Sequence, residues 1–212
     1  MTALVYRARD PGHAGLILAH GAGSGQHSPF MAGFANALSA LGLETITFNF
    51  PYTEQKRRLP DRRPVLEACY RAVIDAAGGT VVGAGRSLFI GGKSMGGGIA
   101  TQVAAADPER PIAGLVLLGY PLHPPGRPAE RRDAHLPAVG RPMLFIQGSR
   151  DAFGTPAELS SALAPVAPPA TLHVVAGGDH SFKVPRTGDQ AAVYEDVQRT
   201  IATWVHRIGK VS

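Results

Sequence analysis

The apolar run Leu88-Phe89-Ile90-Gly91 leads into Gly92-Lys93-Ser94-Met95-Gly96 and continues directly into Gly97-Gly98-Ile99-Ala100, a helix-compatible stretch. Few chain geometries accept that order of residues. A strand that turns sharply into a helix would hold the serine on the turn, its hydroxyl exposed at the top of a sheet. Glycines two positions either side serve that turn, because a Cβ there would collide with neighbouring backbone. Two nucleotide-binding patterns overlap the segment and both fail. A phosphate-binding loop needs a glycine five positions before its Gly-Lys pair, and Ser87 stands there, followed by a strand-like Leu88-Phe89-Ile90. The Gly83-Ala84-Gly85 segment lacks the third glycine of a dinucleotide fingerprint, since position 88 is leucine.

Elsewhere, apolar runs alternate with amphipathic windows, the pattern of a mostly parallel sheet covered by helices on both faces. Strands are expected at 14–19, 44–50, 88–92, 112–119, 142–148 and 170–175, with an additional antiparallel edge strand at 2–9. Helices are expected at 28–41, 64–77, 95–106, 156–164 and 190–208. The second opens on a proline and is expected to stop at Gly78-Gly79. Residues 120–141, rich in proline and arginine, read as a loop with at most one short helix, so no lid domain is expected.

With 212 residues and 44% hydrophobic content, the chain suits one α/β domain. Its one cysteine, Cys69, excludes an internal disulfide and falls on an apolar helix face as a small core residue. The first ten residues lack the apolar stretch of a signal peptide, and no run suffices for a membrane span, so a soluble cytoplasmic protein is expected. The net charge is +5. Basic residues gather at Lys56-Arg57-Arg58, Arg62-Arg63 and along 127–132, without interleaved aromatics or a recognition helix. They read as solvated loop surface, with nucleic-acid binding not expected.

A serine hydroxyl needs a base within hydrogen-bond reach, itself oriented by a third group. In the order serine, acid, histidine, each just after a strand, the acid candidate is Asp151 in Gly148-Ser149-Arg150-Asp151. Asp107 suits a helix end, Asp133 has no strand-end placement, and Asp179 adjoins the histidine. The base candidate is His180 in Gly177-Gly178-Asp179-His180. His173 lies within a strand, His206 on the last helix, and His123 and His135 in the central loop. Two backbone N–H groups are needed for a developing oxyanion. Met95, directly after the nucleophile, supplies one. The glycine-rich loop His20-Gly21-Ala22-Gly23 supplies the other, with Ala22 preferred to Gly23 and His20 bracing the loop.

Taken in order, His20-Gly-Ala-Gly, Gly92-Lys-Ser94-Met-Gly96-Gly, Gly119-Tyr-Pro-Leu-His-Pro-Pro-Gly126, Gly148-Ser-Arg-Asp151 and Gly177-Gly-Asp-His180-Ser-Phe resemble the α/β-hydrolase superfamily. More narrowly they resemble its dienelactone-hydrolase-like branch, and the Tyr-Pro-Leu-His-Pro-Pro segment resembles a group that includes a chromatin-complex subunit and a testis-expressed protein. The resemblance implies Ser94 as nucleophile, Asp151 as acid and His180 as base. Serine replaces the cysteine that dienelactone hydrolases use, which separates this chain from their particular substrate.

The expectation is a serine hydrolase acting on a small ester, with thioesters and lactones as related substrates and neither metal nor organic cofactor. Tyr120, Phe153 and Met95 are expected to bound a shallow, lidless acyl pocket. The rival expectation is an interaction module that keeps the hydrolase architecture without turnover, as some members of this superfamily act as scaffolds. The oligomeric state is open.

Overall fold

The computed structural model describes residues 2–10, 12–80 and 85–210. Gly83 and Ala84, part of the rejected dinucleotide segment, lie outside the described residues. Among the described residues the sheet has seven strands: β1 (Ala3–Tyr6), β2 (Ala14–Ala19), β3 (Glu44–Phe48), β4 (Ser87–Lys93), β5 (Gly114–Leu118), β6 (Met143–Gly148) and β7 (Thr171–Val175), in the order β1-β3-β2-β4-β5-β6-β7. Only β1 runs antiparallel, pairing Ala3 with Phe48 and Tyr6 with Thr45. The other pairs are parallel, and β2 meets β4 in the register Ala14 to Ser87 through Ala19 to Gly92. The α/β fold with a mostly parallel sheet is therefore as expected.

Strand side chains alternate between faces, and the core divides accordingly. Leu16, Leu18, Phe89, Val116, Leu118, Leu144 and Ile146 pack against α1 (Pro29–Ala40) and α6 (Gln190–Gly209), through Phe34, Leu38, Ile201 and Trp204. Ile17, Ala19, Ile90, Leu115, Leu117 and Phe145 face the opposite way, onto α3 (Arg63–Thr80), α4 (Met95–Ala106) and α5 (Pro156–Leu163). The central strands β2 and β5 are apolar throughout because both faces of the sheet are covered there. Caps set the helix starts. Ser28 accepts from Met31 N–H, Asp189 accepts from Ala191 and Ala192 N–H, and Thr155 with Glu158 forms a reciprocal capping box.

Several boundaries shift by one residue, and four elements depart further, the first being β1, which covers only Ala3–Tyr6 of the expected 2–9. Strand β3 stops at Phe48, and Pro51 opens a four-residue helix, α2 (Pro51–Glu54), in what reads as plain loop. Phe50 thereby turns inward, its ring edge-on to His20 at 5.2 Å between centroids. Helix α3 runs through Gly78 and Gly79 to Thr80. A mid-helix glycine costs about 1 kcal/mol relative to alanine, and the buried stripe Leu66, Tyr70, Val73, Ile74 and Ala77 outweighs it. Strand β5 begins at Gly114, two residues later than read. Between β5 and β6 the chain forms loop and one short 3-10 helix, Leu136–Val139. Among the described residues, no helix is long and apolar enough to cross a membrane.

Candidate active site

Ser94 stands between β4 and α4 with φ 50° and ψ −116°, a backbone state that side chains strongly disfavour. The glycines beside it are required by space. A Cβ on Gly92 would lie 2.6 Å from the Ala19 carbonyl oxygen, and one on Gly96 would lie 2.5 Å from the same atom. The turn is thus pressed against the end of β2, where the His20–Gly23 loop begins.

His180 arrives from the loop after β7 and Asp151 from the loop after β6. The Ser94 hydroxyl and His180 Nε2 are 2.8 Å apart, and His180 Nδ1 lies 2.8 Å from Asp151 Oδ2. The carboxylate can only accept, so Nδ1 carries the proton and Nε2 presents its lone pair to the serine. Asp151 is 1% exposed. Its Oδ1 accepts from Phe153 N–H at 2.8 Å and its Oδ2 also accepts from the Gln147 amide at 2.9 Å. The Phe153 ring stacks on the imidazole at 4.2 Å between centroids and 29° between planes.

The loop after β2 is held from behind. Phe50 N–H donates to His20 Nε2 at 3.3 Å, so His20 Nδ1 carries hydrogen and donates to Gly21 O at 2.8 Å. Burial lowers the His20 pKa, which keeps the ring neutral. Gly21 O also accepts from Ser24 N–H. Because a trans peptide sets C=O and N–H in opposite directions, fixing the Gly21 carbonyl aims Ala22 N–H the other way. Gly21, Ala22, Ser94 and Met95 all line one cleft of about 850 Å³. Neither Ala22 N–H nor Met95 N–H has a protein acceptor among the described residues, and Met95 N–H adds the positive end of the α4 dipole.

Tyr120 and Phe153 also line the cleft. Tyr120 is otherwise buried, its ring against Phe145 and its hydroxyl donating to Arg132 O at 2.8 Å; burial raises its pKa. The competing side chains are occupied elsewhere. Asp179 Oδ1 accepts from Ser181 and Lys183 N–H, Asp133 pairs with Arg131, and Asp107 pairs with Arg110. His173 faces Asp196, His206 bonds Leu41 O, and His123 meets Pro124 O. His135 lies at the cleft, held by Thr101 and by the amide of Gln102, which can only donate to its Nδ1; burial and Arg63 lower its pKa.

Three contributors escaped the sequence reading: Gln147, Lys93 and the stacking role of Phe153. Gln147 is wholly buried and bonds Tyr120 N–H, Gly154 O and Asp151. Its signal was available, as the one polar side chain in Met143-Leu-Phe-Ile-Gln147, four residues before the acid. Lys93 is 8% exposed and donates to His180 O at 2.6 Å.

The model of an alpha/beta hydrolase domain family matches residues 12–208. The chain belongs to the α/β-hydrolase family. Similar solved structures include a dienelactone hydrolase from Anabaena variabilis, at TM-score 0.75 and 23% identity, covering 95% of this chain and 89% of that one. An α/β serine hydrolase from Xanthomonas campestris described as without lid gives 0.71 and 20%, covering 95% and 88%. Est1E from Butyrivibrio proteoclasticus, holding ferulic acid, gives 0.74 and 13%, covering 95% and 94%. At these identities the likeness is one of fold. A putative phosphoribosyl transferase of Mycobacterium tuberculosis is 33% identical over 181 residues, which is 84% of this chain and 38% of that protein. The chain thus spans about two fifths of the length of the curated relatives it matches.

Proposed function

We propose that this α/β-hydrolase chain is a serine hydrolase that cleaves small esters, thioesters or lactones through an acyl-enzyme. The observation that carries the reading is the unbroken chain Ser94 Oγ, His180 Nε2, His180 Nδ1, Asp151 Oδ2, with both links at 2.8 Å. In this mechanism Ser94 Oγ attacks the carbonyl carbon as His180 Nε2 takes its proton, and buried Asp151 stabilises the imidazolium and holds its tautomer. The carbonyl oxygen becomes an oxyanion accepting from Ala22 and Met95 N–H. His180 returns the proton to the leaving group, then draws one from water as that water attacks the acyl-enzyme.

The charge on the cleft narrows the substrate. Arg63, Lys93, Arg131 and Arg132 line it, and among the described residues no carboxylate does. Arg63 and Arg131 have partners in Glu67 and Asp133, whereas the Arg132 guanidinium has no ion-pair partner among the described residues. We therefore favour esters that carry an anionic group. The mycobacterial relative's name belongs to a chain of more than twice this length, and nothing in this cleft extends phosphoribosyl transfer to the present protein.

A fluorophosphonate probe and p-nitrophenyl acetate test the reading together. The wild-type chain should label at Ser94 and turn over, and Ser94→Ala should do neither while melting as the wild type does. Turnover should fall by about 10³-fold or more when the hydroxyl is lost. A folded wild-type protein that neither labels nor hydrolyses a panel of esters, thioesters and lactones points instead to an interaction module.

A further inference from the structure

We propose that Lys93 is a positioning residue for the base, its side chain tying the loop that carries His180 to the strand that carries Ser94. The proposal rests on the hydrolase reading above and adds a part that the serine, histidine and aspartate do not supply.

Lys93 ends β4, one residue before the nucleophile, yet its side chain is buried. Lysine is almost never fully buried without a charged partner, and no carboxylate forms an ion pair with Lys93 among the described residues. Its Nζ instead donates to the backbone oxygen of His180 at 2.6 Å, with the Phe182 ring centroid 5.9 Å away. Among the described residues that oxygen has no other donor. The space for this contact exists because position 119 is glycine. A Cβ there would lie 2.9 Å from Lys93 Nζ and 2.7 Å from His180 O.

The rest of the His180 loop is fastened at other points. Arg150 Nε donates to Gly177 O, Arg150 N–H to Gly178 O, and Asp179 Oδ1 receives Ser181 and Lys183 N–H. The peptides on either side of His180 are thereby held at Ser181 N–H by Asp179 Oδ1 and at Asp179 O by Phe182 N–H, but the His180 carbonyl itself receives only Lys93 Nζ among the described residues. The imidazole reaches Ser94 from that peptide, and a shift of even 1 Å at a reacting group costs about 10²-fold in rate. A methionine at position 93 would fill a similar volume and leave the carbonyl without a donor.

The tether is charged only over part of the working pH range. Burial lowers Lys93 to about 8, opposed in part by Asp151 from the loop after β6 and Asp179 from the loop after β7. The third titratable group beside it is His180. Below about pH 8 the ammonium makes a charge-assisted bond. Above it the neutral amine makes a weaker one, so the base is held less firmly as pH rises.

The test is the pH profile of kcat and KM on p-nitrophenyl acetate for wild type, Lys93→Met and Lys93→Gln, with thermal melts as a folding control. The wild type should decline above about pH 8. Lys93→Met should lose about tenfold or more in kcat with KM within about twofold and lack the alkaline decline. Lys93→Gln, which keeps a neutral donor, should recover part of kcat and still lack the alkaline decline. Wild-type kcat and an unchanged alkaline limb in a folded Lys93→Met overturn the proposal. If neither variant folds, fluorophosphonate labelling of the wild type decides: a rate flat from pH 7 to about 10 removes any role for the Lys93 charge. A wild-type protein that neither turns over nor labels at any pH refutes the hydrolase reading, an outcome distinct from these.

Discussion

Gln147→Glu changes one atom and the charge of the side chain beneath the acid. Gln147 is wholly buried, and its Nε2 donates to Asp151 Oδ2 at 2.9 Å and to Gly154 O at 2.8 Å, while Oε1 accepts from Tyr120 N–H. The substitution puts a carboxyl oxygen where the amide nitrogen stood. Two carboxylates cannot both ionise at that separation in a dry site, so the pair retains one proton shared between them. That proton lets the new carboxyl mimic the amide toward Asp151. Its pKa is raised above the unfolded value, so the folded state binds more protons and stability falls as pH rises through the raised pKa. The stabilisation is whole below the ordinary carboxyl range near pH 4 and disappears as the pair is forced to ionise. A shift of ~3 units between folded and unfolded chains corresponds to ~4 kcal/mol. For a chain of this size, 1 kcal/mol moves Tm by about 2–4 °C, so the variant should lose ~10 °C relative to wild type between about pH 5 and pH 8. Differential scanning fluorimetry of both proteins across that range isolates the effect, because every other titrating group is common to the two. Parallel Tm curves, displaced by a constant, would mean that Gln147 and Asp151 do not meet as described.

Two further outcomes bear on the substrate. Among p-nitrophenyl esters from acetate to palmitate, short acyl chains should be cleaved best, since an accommodated methylene contributes about 1–3 kcal/mol and one left in water contributes nothing; a maximum at long chains would contradict an open cleft. The p-nitrophenyl hemisuccinate should exceed the butyrate in kcat/KM by on the order of tenfold at low salt, and the preference should shrink as salt screens the exposed arginines and in Arg132→Ala. Equal rates at low salt would refute a role for the basic lining in substrate choice.

What was legible in the sequence follows from how local each signal is. The strand Ala14–Ala19 and the helix Met95–Ala106 coincide with their expected limits. Each is bounded by residues whose chemistry acts within one turn: glycines and histidine after the first, the serine elbow before the second. Gly78-Gly79 misled because a glycine ends a helix only where the surrounding packing lets it, and α3 is held by apolar contacts up to Ala77, one residue before that choice. The short helix after Phe50 opens on Pro51, and the Phe50 ring before it packs edge-on against His20 from the loop after β2, a contact between distant segments that the sequence does not display. The three catalytic candidates came from the glycine-flanked serine motif, chain order and strand-end placement. The groups that hold them, Lys93 and Gln147, needed the neighbouring strands in place before their partners were visible.

That difference has a structural cause. The candidate site draws on β2, β4, β5, β6 and β7, adjacent through the sheet apart from the β1-β3 edge. Parallel pairing sets these strand ends at fixed heights but leaves the loops beyond them free. Three segments at this end of the sheet are cross-braced by a buried polar side chain from another strand or strand end. Gln147 on β6 binds Tyr120 beyond β5, Lys93 on β4 binds the loop beyond β7, and His20 beyond β2 binds Phe50 beyond β3. An unpaired buried donor or acceptor costs about 1–3 kcal/mol, so each brace favours one loop arrangement over its alternatives. These three polar side chains thus act together with the elements that present Ser94, Asp151 and His180 in holding the candidate triad's spacing.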